Sequence, residues 1–502
     1  MSTLLDSPAT PAPHTTTRRT SRWIDDWRPE DPEFWETTGK SVARRNLIWS
    51  IFSEHLGFSV WLIWSVSSAF LLAQGFTFTP QQLFFLVAIP NLVGSLLRIP
   101  YTLMVGKVGG RNWTMVSAAL LLVPTLLFAY AVTNPSTPYW AFCLIAATAG
   151  FGGGNFSSSM ANINFFYPTS KKGAALGLNA AGGNIGVSII QFALPLLVGG
   201  AGIFGLVKAS EGGINLERAA WVYAGLAVVA TLAAYFFMDN LGTAKTDTKA
   251  QLSVLKNKQT LVMAFLYIGT FGSFIGYSAA MPLLIKLNFW VAEPAPLGTG
   301  IYFAYFAFLG ALVGSVTRPL GGWLSDKFGG AKVTLVAFAG LIAFTAAVLW
   351  TLMQLTPNPT ADIAIAEDNK SWFPLFLGFF LLVFAFTGIG NGSTYKMIPA
   401  IFKTEAERVG EVGSPEREAA MLNATKRASA AIGIIGAVGA LGGFLIPITF
   451  SSPWVTAPME ATKTAFMIFT AFYVVCAAVT WFVYLRNPHP ARAHLSYAGV
   501  GI

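Results

Sequence analysis

Long apolar runs recur along this chain, and no other feature restricts its fold as much. They fall at about 47–73, 81–106, 112–132, 138–167, 172–199 and 218–238, and resume at 259–288, 300–325, 331–354, 372–402, 420–449 and 461–485. At about 1.5 Å of rise per residue, each is long enough to cross about 30 Å of hydrocarbon. A backbone in hydrocarbon must satisfy its own hydrogen bonds, so runs of this kind fold as helices. The reading is an all-α integral membrane protein with twelve transmembrane helices. Charged residues are 11% of the chain, against about 25% in a soluble domain. A polytopic membrane protein is the class that fits, and an enzyme is disfavoured.

The loops orient these spans. Arg44/Arg45, Lys107/Arg111, Lys171/Lys172, Lys245/Lys249/Lys256/Lys258, Lys327/Lys332, Lys403/Arg408/Arg417 and Arg486 fall on one side. On the other, 74–80 and 133–139 carry no charge, and 355–371 is mainly acidic. The positive-inside rule makes both termini cytoplasmic, and the expected location is the inner (cytoplasmic) membrane. The net charge of +9 is spread between apolar spans, so it marks topology and not a nucleic-acid surface. Cys143 and Cys476 sit inside apolar runs, the four histidines lack metal-site spacing, and there is no nucleotide-binding loop. No cofactor or metal is expected. The organisation reads as a cytoplasmic tail at 1–46, a six-helix half at 47–238, a linker at 239–258, a second half at 259–485 and a tail at 486–502. The tail is expected to be disordered up to Asp26–Trp35, whose tryptophans and charges suit either the membrane surface or the cap of a cytoplasmic vestibule.

Residues 150–186 are unusually rich in glycine, which costs about 1 kcal/mol per residue in a water-soluble helix but lets membrane helices approach closely. Asn155, Ser159 and Asn162 fall on one helical face, and Asn179 and Asn184 stand among Gly173, Gly177, Gly182, Gly183 and Gly186. Two readings stand: a tight helix seam, or a seam that also lines a polar path. A repeat links the halves. Arg98 opens RIPYTLMVGKVGGRNWT and Arg318 opens RPLGGWLSDKFGGAKVT, and superposing the arginines superposes Gly109–Gly110 on Gly329–Gly330. Gly152, Gly154, Asn155 and Ser157 match Gly388, Gly390, Asn391 and Ser393 in the same way. Two six-span halves with shared landmarks resemble a major facilitator transporter, whose substrate site lies between the halves near the midplane. The loop GGWLSDKFGGAK at 321–332 also resembles that superfamily's cytoplasmic loop, although the first-half copy lacks the Asp.

Arg98 and Arg318 lie within apolar spans, where a charge costs at least about 2.5–3.5 kcal/mol unless it meets a cavity or partner. Glu54 is the one acidic residue well inside a span, and one carboxylate cannot neutralise two arginines. Brought together by the repeat, the two guanidiniums call for a small anion as partner. Their planar fork suits a flat oxyanion. Phe156, Tyr267 and Phe271 are candidate walls for such an ion, with ordinary membrane packing as the competing role.

GGGNFSSSMANINFFYP…KKGAALGLNAAGGNIGVS and GIGNGSTYKMIPAIF resemble the paired nitrate-signature motifs of the nitrate/nitrite porter family, NarK type, over nearly the whole chain. The resemblance implies that Arg98 and Arg318 clamp the anion, Asn184 donates to it, Phe156 and Phe271 stack on it and Tyr267 hydrogen-bonds to it. It implies that Gly152, Gly153, Gly154, Gly182, Gly183, Gly186, Gly388, Gly390 and Gly392 permit helix sliding. Ala180 departs from the expected glycine, and Lys396 adds a basic residue near the site's depth. The expected activity is exchange of nitrate for nitrite by a protein that works as a monomer. At an effective dielectric of 20, like charges about 6 Å apart repel by about 3 kcal/mol, and a bound anion removes that barrier. Nitrate–proton symport through Glu54 or His55 is the alternative, and an anion channel a weaker one.

Overall fold

In the computed structural model, residues 22–200, 213–244, 254–291, 298–357, 362–451 and 457–486 are described, with 497 and 502. The expectations for the tail up to residue 21, for Lys245 and Lys249, and for most of the C-terminal tail lie outside the described residues. Among the described residues the long helices are α1 (Pro32–Gln74), α2 (Pro80–Val108), α3 (Gly110–Thr133), α4 (Tyr139–Phe166), α5 (Thr169–Leu197) and α6 (Leu216–Phe237), then α7 (Lys258–Phe289), α8 (Phe303–Phe328), α9 (Gly330–Met353), α10 (Phe373–Glu407), α11 (Pro415–Phe450) and α12 (Pro458–Leu485). Eleven are long and apolar enough to cross a membrane. The exception is α4, 28 residues long, where GFGGGNFSSS dilutes the apolar content of a helix buried among the others. Asn155, Ser157, Ser158, Ser159 and Asn162 of this helix are all buried.

Helix ends follow local chemistry. Thr79 and Gln82 form a reciprocal capping box that starts α2, with Pro80 in the first turn. At the far ends of α2 and α8, Gly109 and Gly329 both adopt φ 90°, with ψ 146° and 136°. A side chain is strained there. The match places Arg98 and Arg318 on equivalent turns, each the same distance in sequence before its glycine. Two extensive helix seams are also equivalent, joining α2 to α4 and α8 to α10.

Some features escaped the sequence reading. The polar stretch at 32–46 is already helical, so α1 starts well before its apolar run. Strand β1 (Trp23–Ile24) pairs in parallel with β2 (Asn240–Leu241), and Trp27 Nε1 donates to the Phe165 carbonyl at 3.1 Å. The segment before α1 is thereby fastened over the α4–α5 turn. There Glu30 accepts from the Thr169 amide and hydroxyl, both at 2.8 Å, and caps an α5 start that lacks a capping side chain of its own. The acidic loop contains a short helix, Ile363–Lys370, capped by Asp362. Strands β3 (Trp290–Val291) and β4 (Thr299–Gly300) pair antiparallel beyond the end of α7.

Several of the long helices lose their regular winding near mid-length. Regular α-helix in α1 is interrupted at Leu62 (φ −97°, ψ 10°), and α7 is wound as a π-helix over Ile268–Gly272. Such bulges re-aim side chains and concentrate at functional sites. This one turns Phe271 inward, opposite a second irregularity in α11 at Leu441, where the backbones at Gly272 and Gly442 are too close for a side chain on either.

Candidate functional site

Arg98 is fully buried. Its Nε donates to the Gly153 carbonyl of α4 at 3.2 Å, and Nη1 donates to the Gly436 carbonyl of α11 at 2.9 Å. Its Cζ lies 4.7 Å from the centroid of Phe156, 4.9 Å from Phe271 and 5.3 Å from Trp61. The carbonyls and ring faces hold the cation without neutralising it, and Nη2 has no hydrogen-bond partner. Arg318, on α8, is also buried, with Cζ 5.9 Å from the Phe156 centroid and 5.5 Å from Tyr395. Its Nη1 likewise lacks a partner. The structure therefore brings both guanidiniums to one aromatic ring, each with an unused donor.

Asn184 of α5 is buried with both amide atoms unpartnered. Glu54 is fully buried within electrostatic reach of Arg318 and Arg98, yet makes no ion pair with either. Instead its Oε2 accepts from Asn179 Nδ2 at 2.7 Å, and Asn179 also donates to Ser159 Oγ at 2.6 Å. Ser159 and Ser50 share a 2.8 Å hydrogen bond, so Ser159 alone of the polar face expected on α4 joins a network with α1 and α5, while the Asn155 side-chain amide has no hydrogen-bond partner. His55 Nδ1 lies 3.2 Å from the Gly182 carbonyl.

The aromatic residues are arranged differently from a ready sandwich. Phe156 and Phe271 are near-parallel at 22°, with centroids 6.1 Å apart. A flat ion between two rings needs about 7 Å, two van der Waals contacts. Tyr267 stacks on Phe271 at 5.3 Å and donates its hydroxyl to Asn391 Oδ1 at 2.8 Å. Its one donor is committed in this conformation. Sequence reasoning missed Asn391 as a site residue, along with Trp61, Tyr395 and the Gly436 carbonyl; only the fold brings them to the arginines.

A cavity of about 920 Å³ leads from Arg318 to the end of the bundle that carries the basic loops, and Lys172, Lys396 and Lys403 line its walls. Lys396 also faces Asp326, pairing with it at 2.8 and 2.9 Å, so its charge is matched at the cavity wall. Gly106 holds the corresponding first-half position, and the brace has no counterpart there. Ala180, where a glycine was expected, is buried and lines the same cavity.

The opposite end is closed by contacts between the two sets of six helices. Gln191 Nε2 of α5 donates across the halves to the Ser278 carbonyl of α7 at 2.6 Å and, within its own half, to Ser65 Oγ of α1 at 3.2 Å. Ser188 reaches the Phe308 carbonyl at 3.1 Å, and Ser451 the Gln81 carbonyl at 3.0 Å. Phe70 meets Phe303 with centroids 5.0 Å apart, and Phe192 meets Phe308 at 5.1 Å. The molecule is open on the basic side and zipped on the other.

Residues 55–447 match the family model of the Major Facilitator Superfamily. The nitrate/nitrite transporter NarU of Salmonella typhimurium is 40% identical over 92% of this chain and 96% of its own length. The NarU of Escherichia coli is 39% identical over 93% and 98%. The chain belongs to the nitrate/nitrite porter family of the major facilitator superfamily. Another relative of this porter, a probable nitrate/nitrite antiporter, NarK2, from Thermus thermophilus, is 35% identical over 93% of the chain and 97% of its own length. Among solved structures, a D-xylose–proton symporter shares the fold with TM-score 0.60 at 14% identity, over 87% of this chain and 96% of its own. A bacterial homologue of the lysosomal transporter Spinster in an inward-facing conformation gives 0.57 at 15%, over 88% and 97%.

The motif glycines of this porter sit where helices touch. A methyl group on Gly152 would overlap the Gly57 carbonyl of α1, and one on Gly186 the His55 carbonyl. Gly153 and Gly154 lie against Trp61 and Tyr101, and Gly182 and Gly183 against Ile51 and Glu54. Gly388 and Gly392 lie against α8 and Gly390 against Thr270 of α7.

Proposed function

We infer that this protein exchanges nitrate for nitrite across a cytoplasmic membrane by alternating access, holding the anion between Arg98 and Arg318. The observation that carries the reading is the pair of buried guanidiniums on equivalent turns of the repeat, each with an unpartnered donor beside Phe156. Two buried cations with unused donors form an anion receptor, and their planar forks select a flat oxyanion. Asn184 adds donors without adding negative charge. The sequence similarity to named nitrate/nitrite transporters supports the substrate.

The mechanism follows from charge. An anion drawn between the guanidiniums pulls α2 and α8 together, narrowing the cavity on the basic side. The Arg98–Gly436 hydrogen bond already links α2 to α11 across the halves, so movement at the site is transmitted to both. Without an anion, approach of the two arginines costs about 3 kcal/mol at about 6 Å and an effective dielectric of 20, so the loaded carrier turns over faster than the empty one. That is exchange. Twelve crossings in two six-helix halves, both termini cytoplasmic and a functional monomer complete the proposal.

Nitrate–proton symport is the second reading, favoured by one observation: Glu54 is fully buried within electrostatic reach of both arginines. Nitrate uptake by purified protein in liposomes separates the two. Uptake that requires internal nitrite and ignores a pH gradient supports exchange. Gradient-driven uptake into nitrite-free vesicles supports symport, and absence of nitrate flux in both conditions refutes the substrate.

A further inference from the structure

A third buried cation lies outside the site described above. Lys286, near the end of α7 away from the basic loops, is 5% exposed. Its Nζ donates to the Ala69 carbonyl at 2.5 Å and lies 5.3 Å from the Trp290 ring centroid and 5.9 Å from that of Phe303. No carboxylate among the described residues pairs with it. Ala69 is in the last turn of the upper segment of α1, where carbonyls carry the negative end of the helix dipole. The hydrogen bond joins the first helix of one repeat to the first helix of the other, so it has to break when the closed end opens.

The neighbouring closure shows what a latch alone requires. Gln191, Ser188 and Ser451 span the same seam with neutral donors and carry no desolvated charge. A lysine is the costly choice for holding a neutral carbonyl at membrane depth. Its positive charge gains a use once α1 and α7 separate. The ammonium then loses Ala69 and is left beside two aromatic rings, with donors free for the newly opened vestibule. We propose that Lys286 is an outer anion-binding residue that makes the first contact with a small oxyanion entering from outside, before the anion passes inward to Arg98 and Arg318. In the inward-open state the Ala69 carbonyl holds the ammonium out of use. The inference rests on the transport reading.

The test compares nitrate KM at each face, using right-side-out and inverted membrane vesicles loaded with nitrite. Lys286→Gln should raise the outer-face KM about tenfold, the scale of one lost hydrogen bond to a charged partner. It should leave the inner-face KM within about twofold, and Lys286→Arg should restore the outer-face value. A pure latch predicts the reverse: its loss favours the outward-open state, so the outer-face KM falls or stays unchanged, and either result overturns the proposal. If Lys286→Gln does not accumulate in the membrane, Lys286→Met keeps the stem under the rings and gives the same comparison. Wild-type vesicles without nitrate flux overturn the transport reading, and this inference with it. Normal wild-type flux with an unchanged outer-face KM in the variant overturns this inference alone.

Discussion

Replacing Arg98 with lysine keeps the charge and removes the fork, so it separates electrostatic attraction from directed hydrogen bonding. The guanidinium divides its donors three ways: Nε to Gly153, Nη1 to Gly436 and Nη2 unpartnered beside Phe156. An ammonium has three donors at one point and cannot serve two carbonyls on different helices while presenting a third bond to an anion. The variant therefore loses at least one hydrogen bond donated by a charged group, about 1.5–3 kcal/mol. Part of the stacking on Phe156 and Phe271 survives, because the cation remains. The expected result is a nitrate KM raised about tenfold to one-hundredfold, measured as uptake into nitrite-loaded proteoliposomes. An Arg98→Lys protein with a KM within twofold of wild type would refute the fork argument and leave charge alone as the basis of recognition.

Three further outcomes are expected. Gly152→Ala should lower thermal stability by about 1–3 kcal/mol, because the methyl group forces α4 off the Gly57 carbonyl; an unchanged melting temperature in detergent would show that the seam can yield. Tyr267→Phe keeps the stack on Phe271 but leaves buried Asn391 Oδ1 without its donor, a loss of about 1–3 kcal/mol seen as reduced stability and a higher KM. The Thr169 amide and hydroxyl hold the Glu30 carboxyl below its usual pKa. A depressed pKa contributes stability above the unfolded-state value that is lost as pH falls through the folded one. Wild type should thus melt slightly higher than Glu30→Gln at pH 7, with the gap closing toward pH 3. The exposed position keeps the effect below about 1 kcal/mol, and a constant gap across that range would contradict the assigned cause.

The sequence by itself determined the helices, because a continuous apolar run of this length satisfies its backbone in hydrocarbon as a helix, whereas barrel strands are short and alternating. It also determined the equivalence of Arg98 and Arg318: the glycine pair following each arginine carries the same backbone requirement, visible as φ 90° at Gly109 and Gly329. The starts of α1 and of the short helix at 363–370 were not legible, since charged helix ends outside the hydrocarbon carry no apolar signal. Only the tertiary structure decided which donors are left over. Whether Nη2 of Arg98 is used depends on where Gly153 and Gly436 bring their carbonyls, and Gly436 lies in the other half of the chain. The same holds for Tyr267, whose hydroxyl is committed to Asn391, and for Lys396, matched by Asp326. Lys286 passed unnoticed as one charge near the end of an apolar run, until packing set it against Ala69. Hydrophobicity is a property of single segments and is read locally. Polar satisfaction is a property of pairs, and in this porter the partners come from helices far apart in the chain.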